Sequence, residues 1–160
     1  MGSNLGDRLA SLQTAATELQ ALSRLPLRKS SVYESTPVDC PPGSPQFLNA
    51  VVELEVDDSI SPHQLLTKLK EIEQRLGRNP KQTVNEPRPI DLDLIYCDEL
   101  QIHSDNLVLP HPRAHQRRFV LQPLNDLSPN LVLPSQTKSV RELLAALPSD
   151  ETVTRFVSRW

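Results

Sequence analysis

Residues 88–96 read RPIDLDLIY, and no other run constrains the fold of this chain as tightly. Ile90, Leu92 and Leu94 alternate with their neighbours in a stretch rich in β-forming residues, which predicts a buried strand. Asp91 and Asp93 interrupt it. Because the side-chain period of a strand is two, both carboxylates leave the sheet on one face, with roughly 7 Å between their Cα atoms. Like charges so placed repel unless a cation lies between them, so removing one should relieve the unliganded protein. The bland alternative is the solvated face of an edge strand, where polar and apolar residues also alternate.

The surroundings of the pair favour chemistry. Arg78, Lys81 and Arg88 lie upstream, and His111, Arg113, His115, Arg117 and Arg118 lie downstream. Adjacent carboxylates can bridge two Mg²⁺ ions about 3.5–4 Å apart, and Mg²⁺ prefers a few carboxylates completed by phosphate oxygens and water. Carboxylates for metal beside arginines and lysines for phosphate describe phosphoryl-group transfer. The common Gly-rich nucleotide loops are absent. GSNLGD, near the start, reads equally well as a turn capping a helix or as a ligand loop. His111 and His115 have the i, i+4 spacing of a zinc pair, but the motif lacks its glutamate and contains Pro112.

Around this segment the pattern is mixed. Leu5, Leu9, Leu12, Ala16, Leu19 and Leu22 predict a helix over 7–24, and LRKSSVYES predicts a strand over 27–35. FLNAVVELEV suits a strand over 47–56, with Leu48, Ala50, Val52, Leu54 and Val56 on one face. Ser61, Pro62 and Gln64 form the start signal of a helix, and Gly77 closes it. Shorter helices are expected around 113–120 and 139–147. The order helix, strand, strand, helix, strand needs only one strand at its front to become βαββαβ. The predicted fold class is therefore α+β, a ferredoxin-like sandwich whose first strand is missing from this chain, with its natural start upstream or the gap filled by another segment.

A chain of 160 residues is one domain's worth, and we expect a single domain over 1–160. Twelve of the fifteen prolines gather at 37–45, 80–89, 110–112 and 123–134, which predicts long, stiff, functional loops. Net charge near −3 gives no overall attraction to nucleic acid or to an anionic membrane, so any anion site is local. No apolar run is long enough to span a bilayer, no signal peptide is visible, and Cys40 and Cys97 are too few for a disulfide framework. A monomer in the cytoplasm is expected.

GSNLGDR at 2–8, YESTP at 33–37, FLNAV at 47–51, LGR at 76–78, PRPIDLDLI at 87–95 and LPHPRAHQRRFVLQPL at 109–124 stand in the order found in one family. The chain closely resembles the 6-hydroxymethyl-7,8-dihydropterin pyrophosphokinases of folate biosynthesis. The resemblance implies transfer of pyrophosphate from ATP to the pterin hydroxymethyl group with release of AMP. It makes Asp91 and Asp93 the ligands of two Mg²⁺ ions bound with ATP. Phe47 and Phe119 become the aromatic pair around the pterin, with Asn49 and the backbone of Thr36, Pro37, Val38 and Asp39 reading its polar edge. From the residues alone, Phe47 and Phe119 are equally well explained as core. Arg78 and Arg88 become phosphate-handling catalytic arginines, and Lys70, Glu73, Arg88, Leu94, His111 and Arg117 the ATP side. The sequence offers no general base. It departs from the family at Asn85, where an aromatic is common, at Pro80, where a second arginine is frequent, and at Pro112. Two readings remain beside this one: a two-metal phosphatase or phosphodiesterase, and a catalytically silent ferredoxin-like ligand-binding module.

Overall fold

The computed structural model describes residues 1–78, 86–148 and 151–160. Its first half runs β1 (Gly2–Ser3), α1 (Arg8–Gln20), β2 (Arg28–Lys29), β3 (Val32–Ser35), β4 (Phe47–Asn49), β5 (Val52–Glu53) and α2 (Pro62–Arg75). Then follow β6 (Ile102–His103), β7 (Val108–Leu109), α3 (Arg118–Leu127), α4 (Val140–Ala146) and β8 (Val153–Val157). The class is α+β. A four-stranded antiparallel sheet has the order β1-β4-β3-β8, and β2-β5 and β6-β7 form separate pairs. No helix among the described residues is long and apolar enough to cross a membrane.

The two long strands expected at 27–35 and 47–56 each break once. Ser30 and Val51 mark the break: the Ser30 hydroxyl accepts from the Val51 amide at 2.9 Å, while the Ser31 amide donates to Asp126 at 3.0 Å. β2-β5 and β3-β4 are thus two short ladders joined at Ser30 and Val51, whose splice adds the Ser30 hydroxyl to a backbone bond from the Ser30 amide to the Val51 carbonyl at 3.0 Å. The first helix starts within one residue of the expected position, where Asp7 caps it through the Ala10 amide and Gly6 turns the chain at φ +67°, but it ends at Gln20 rather than 24. Leu5, left outside that helix, is exposed. α2 carries the expected capping box between Ser61 and Gln64, and Gly77 ends it at φ +89°. In place of one helix at 113–120, a 3-10 turn at Ala114–Gln116 leads into α3. α4 matches the expected tail helix, capped by Ser139 and Glu142. β6, β7 and β8 were not foreseen.

The expected strand at 88–96 is the main correction. Only Asp91 is bridged, in antiparallel fashion, to Gly2, with the two amides exchanging bonds at 2.9 and 2.8 Å. Its neighbour β1 is two residues long, so no ladder can form beyond it. The Leu92 amide instead donates to the buried Glu73 carboxylate at 2.6 Å. Ile90 and Leu92 are nevertheless fully in the core with Leu12, Leu48, Leu69 and Ile72. At the place of the first strand stands a two-residue pairing: Gly2 and Ser3 pair with Asn49 and Leu48, which puts β1 between β4 and the Asp91 segment.

Candidate active site

β1, β4, the Asp91 segment and the start of α3 converge on one cavity of about 760 Å³, open solvent included. Asp91, Asp93 and Arg88 line it together with Phe47, Asn49 and Phe119. Thr36, Val38 and Arg117 complete the set of expected residues that reach it.

The charged side is built on Asp91. Its Oδ1 is held by Arg78 and its Oδ2 by Arg88 at 2.6 Å, and Arg78 also pairs with Glu73. Glu73 is 2% exposed and accepts from Lys70 at 3.0 Å, so it joins α2 to the Asp91 segment rather than facing the cavity. Burial would raise the Asp91 carboxyl, but the Arg88 and Arg78 guanidiniums outweigh it and bring the group down to about 2. Asp91 is therefore a fixed anion. Asp93 is exposed, with His111 and Arg117 among the charges that feel it. The two carboxylates share one cavity but not one environment, and the expected repulsion between them is replaced by pairing of Asp91 with arginine.

Burial pushes His111 below its ordinary value, with Arg117 and Arg113 adding to the effect and Asp93 opposing it. Its backbone amide donates to Ile95 at 2.7 Å, and its Nδ1 accepts from the Arg113 amide at 3.2 Å. His111 does not line the cavity; neither do Leu94, which packs on the main core, Pro37, or Asp39, whose carboxylate meets Arg113 at 3.4 Å. His111 and His115 gain no third partner, since no group of three metal-ligating residues occurs among the described residues. Pro80, Lys81 and Asn85 lie outside the described residues.

The neutral side is preformed by the sheet. Phe47 is 8% exposed, and the Asn49 amide donates to the Ser35 hydroxyl at 2.8 Å, fixing which way the amide faces. Arg88 lies 5.4 Å over the Phe47 ring and Arg117 the same distance over Phe119. Each aromatic thus has a charged neighbour from the phosphate-type set. Sequence reasoning missed Met1, Gly2 and Cys40 in the lining, all of which depend on how distant segments pair.

Residues 1–129 match the family described as 7,8-dihydro-6-hydroxymethylpterin-pyrophosphokinase. The chain belongs to this family. A 2-amino-4-hydroxy-6-hydroxymethyldihydropteridine pyrophosphokinase from Methylorubrum extorquens is 37% identical over 147 residues, 92% of this chain and 90% of that protein. The Synechocystis protein of the same name is 35% identical over 144 residues, covering 90% of this chain and 72% of its own length. The folic acid synthesis protein fol1 of Pneumocystis carinii is 40% identical over 134 residues, 84% of this chain but only 18% of fol1. The chain spans about a fifth to a quarter of such fungal and plant relatives. Within this pyrophosphokinase family member, β8 and α4 lie beyond the matched residues yet pack on β3 and α3.

Proposed function

We propose that the chain transfers pyrophosphate from ATP to the hydroxymethyl group of 6-hydroxymethyl-7,8-dihydropterin, releasing AMP, as a step of folate biosynthesis. The observation that carries this is one cavity lined both by Asp91 and Asp93 beside Arg88 and Arg117 and by two aromatic rings with a single oriented amide. A flat, donor- and acceptor-rich ring suits Phe47, Phe119 and Asn49, with the backbone of Thr36, Pro37, Val38 and Asp39 at its edge. A triphosphate suits Arg78, Arg88, Arg117 and His111, with Lys70, Glu73 and Leu94 on the nucleotide side.

Asp91 and Asp93 would hold Mg²⁺, two ions in our reading. Two carboxylates, with no group of three metal-ligating residues among the described residues, fit a hard cation whose other positions are filled by phosphate and water. When bound, the metal supplies charge neutralisation at the triphosphate. Asp91 enters this role as a ready anion, and Arg78 and Arg88 are the cations that now occupy its oxygens. Delivery of these arginines to the phosphates would free the carboxylate and stabilise charge in the transfer. The pterin oxygen attacks the β-phosphorus in line, AMP leaves, and no covalent enzyme intermediate is needed.

The sheet supports the ferredoxin-like assignment: reading the Asp91 segment as a strand gives the order Asp91 segment, β1, β4, β3. We treat 1–160 as one domain because β8 extends that sheet through β3. We take the chain to act as a monomer. Two free thiols, Cys40 and Cys97, support the cytoplasm, although a plant relative is named mitochondrial. The test is AMP formation from ATP, Mg²⁺ and the pterin alcohol. AMP with pyrophosphorylated pterin supports the proposal; inorganic phosphate release alone supports a phosphatase, and binding without turnover a silent module.

A further inference from the structure

Asn4 has no role in the scheme above, yet it is one of the few polar side chains shut away from solvent, 1% exposed. It spends its bonding capacity on the two segments that carry the site. Its Oδ1 accepts from the Arg88 amide at 2.8 Å, and its own amide donates to the Arg88 carbonyl at 3.2 Å. Its Nδ2 donates to the Pro45 carbonyl at 3.4 Å, two residues before Phe47. Arg8, from the same turn, reinforces that grip through the Gln46 carbonyl at 2.9 Å. At Gly2 a Cβ would stand 3.1 Å from Asn49 Oδ1 and 3.6 Å from Phe47, so this segment approaches the aromatic side as closely as a backbone can. Residues 2–8 therefore splice the arginine side of the cavity to the aromatic side.

We infer that Asn4 is a positioning residue: it fixes the Arg88 peptide and, more weakly, the end of the 36–46 segment, holding Arg88 and Phe47 in register. This rests on the pyrophosphokinase reading. The chemistry asks for asparagine. The Arg88 amide lies in an irregular stretch with no strand ladder to receive it, and the Pro45 carbonyl needs a donor; aspartate supplies only the first partner and alanine neither. The arrangement also separates what must move from what must not. The bond from the Arg88 guanidinium to Asp91 is one a phosphate would compete for, whereas the clamp on its backbone is independent of where the guanidinium points.

Asn4→Ala, Asn4→Asp, Arg88→Ala and the double variant Asn4→Ala/Arg88→Ala test this by steady-state AMP formation over a range of ATP and pterin concentrations, which gives the rate and each KM. Since misplacement by about 1 Å can cost on the order of 100-fold, Asn4→Ala is expected to lose about 10- to 100-fold in rate with the KM for ATP little changed. In the Arg88→Ala background it is expected to lose almost nothing more, because both changes remove one function. Asn4→Asp, which keeps the acceptor for Arg88, should recover the rate and raise the KM for pterin only. Losses that multiply in the double variant, or an unaltered rate in Asn4→Ala, overturn the proposal. Amide exchange of the ligand-free protein judges the clamp without any activity. Faster exchange in Asn4→Ala confined to 45–49 and 86–91 supports it; unchanged exchange there, or loss of protection throughout α1 and α2, overturns it. A parent protein that forms no AMP would sink the functional reading and leave the clamp to this second measurement.

Discussion

Across one cavity, the Arg88–Asp93 wall and the Phe47–Asn49 wall are held by different kinds of bond. On the first, Asp91 is suspended between Arg78 and Arg88, and the Leu92 amide hangs on Glu73 in place of a strand partner. On the second, β4 is laddered on both sides by β1 and β3, and Asn49 is set by a neutral bond to Ser35. In the proposed reaction an arriving triphosphate would compete for the arginines of the first wall, and a pterin would ask nothing of the second except the apolar faces and the oriented amide already present. The charged wall is thus a set of exchangeable partners, and the neutral wall is a rigid template.

Replacing the two aspartates singly breaks this comparison most severely. Asp91→Ala and Asp93→Ala should each abolish AMP formation, but their stabilities should part. Asp91→Ala strips two largely buried guanidiniums of their carboxylate, and about 2–4 kcal/mol of stability should go with it. Asp93→Ala alters an exposed group and should stay within about 0.5 kcal/mol of the parent. Urea unfolding of both variants decides it. Equal stabilities would mean that the arginine pairs contribute nothing net.

On the template wall, Phe119→Ala should weaken pterin binding by about 1–3 kcal/mol, by analogy with base stacking on aromatic side chains, and ATP binding far less. Calorimetry with each ligand separates the two. Equal losses would show that the ring only packs, or that Arg117, stacked at 5.4 Å, transmits the change to the phosphate side.

The sequence revealed the two walls unequally. The capping box of α2, the tail helix, the strands within 27–35 and 47–56 and the choice of Asp91 and Asp93 as candidates were legible, because local spacing encodes each of them, whereas only the family resemblance pointed to Phe47 and Asn49. Alternation also placed Ile90 and Leu92 in the core. What spacing could not carry was the partner of Asp91. Two carboxylates two residues apart read as mutually repelling only if the rest of the chain is ignored. Arg78, on the far side of a helix end, cancels that repulsion once α2 folds against the segment. Nor could alternation show that a glutamate side chain, Glu73, would replace a ladder bond at Leu92, or that β8, a tail strand of unremarkable composition, would extend the sheet.

Acid sharpens the comparison further. The folded-state value of Asp91, about 2, lies below its ordinary 3.8, so its contribution is complete above the unfolded value and is lost as pH falls through the interval from about 4 to 2. The shift corresponds to roughly 2 kcal/mol. Urea unfolding of the parent across that interval should show this loss, and Asp91→Asn should show a shallower acid limb by a similar amount. Phe119→Ala should leave the limb unchanged, since that ring carries no proton. An identical limb in Asp91→Asn would place the acid sensitivity elsewhere.

The smallest effect concerns how the template wall is anchored. α3, whose first turn carries Phe119, is tied to β3 at its far end, where the Tyr33 hydroxyl donates to Asp126 at 2.8 Å. Tyr33 is 3% exposed, so its ring is core and only the hydroxyl's bonds are at stake in Tyr33→Phe, the one to Asp126 and the one it accepts from Arg155 at 3.3 Å. Asp126 keeps the Ser31 amide at 3.0 Å, and with one donor retained the loss should be about 1 kcal/mol of stability. Because this bond lies outside the cavity and no ligand competes for it, the variant should keep its pterin and ATP affinities within about twofold, a difference of about 0.4 kcal/mol. Thermal unfolding and calorimetry together check the pair of expectations. A drop in pterin affinity larger than the drop in stability would show that the template is less rigid than its neutral bonds suggest, with α3 free to shift Phe119 once its far end is released.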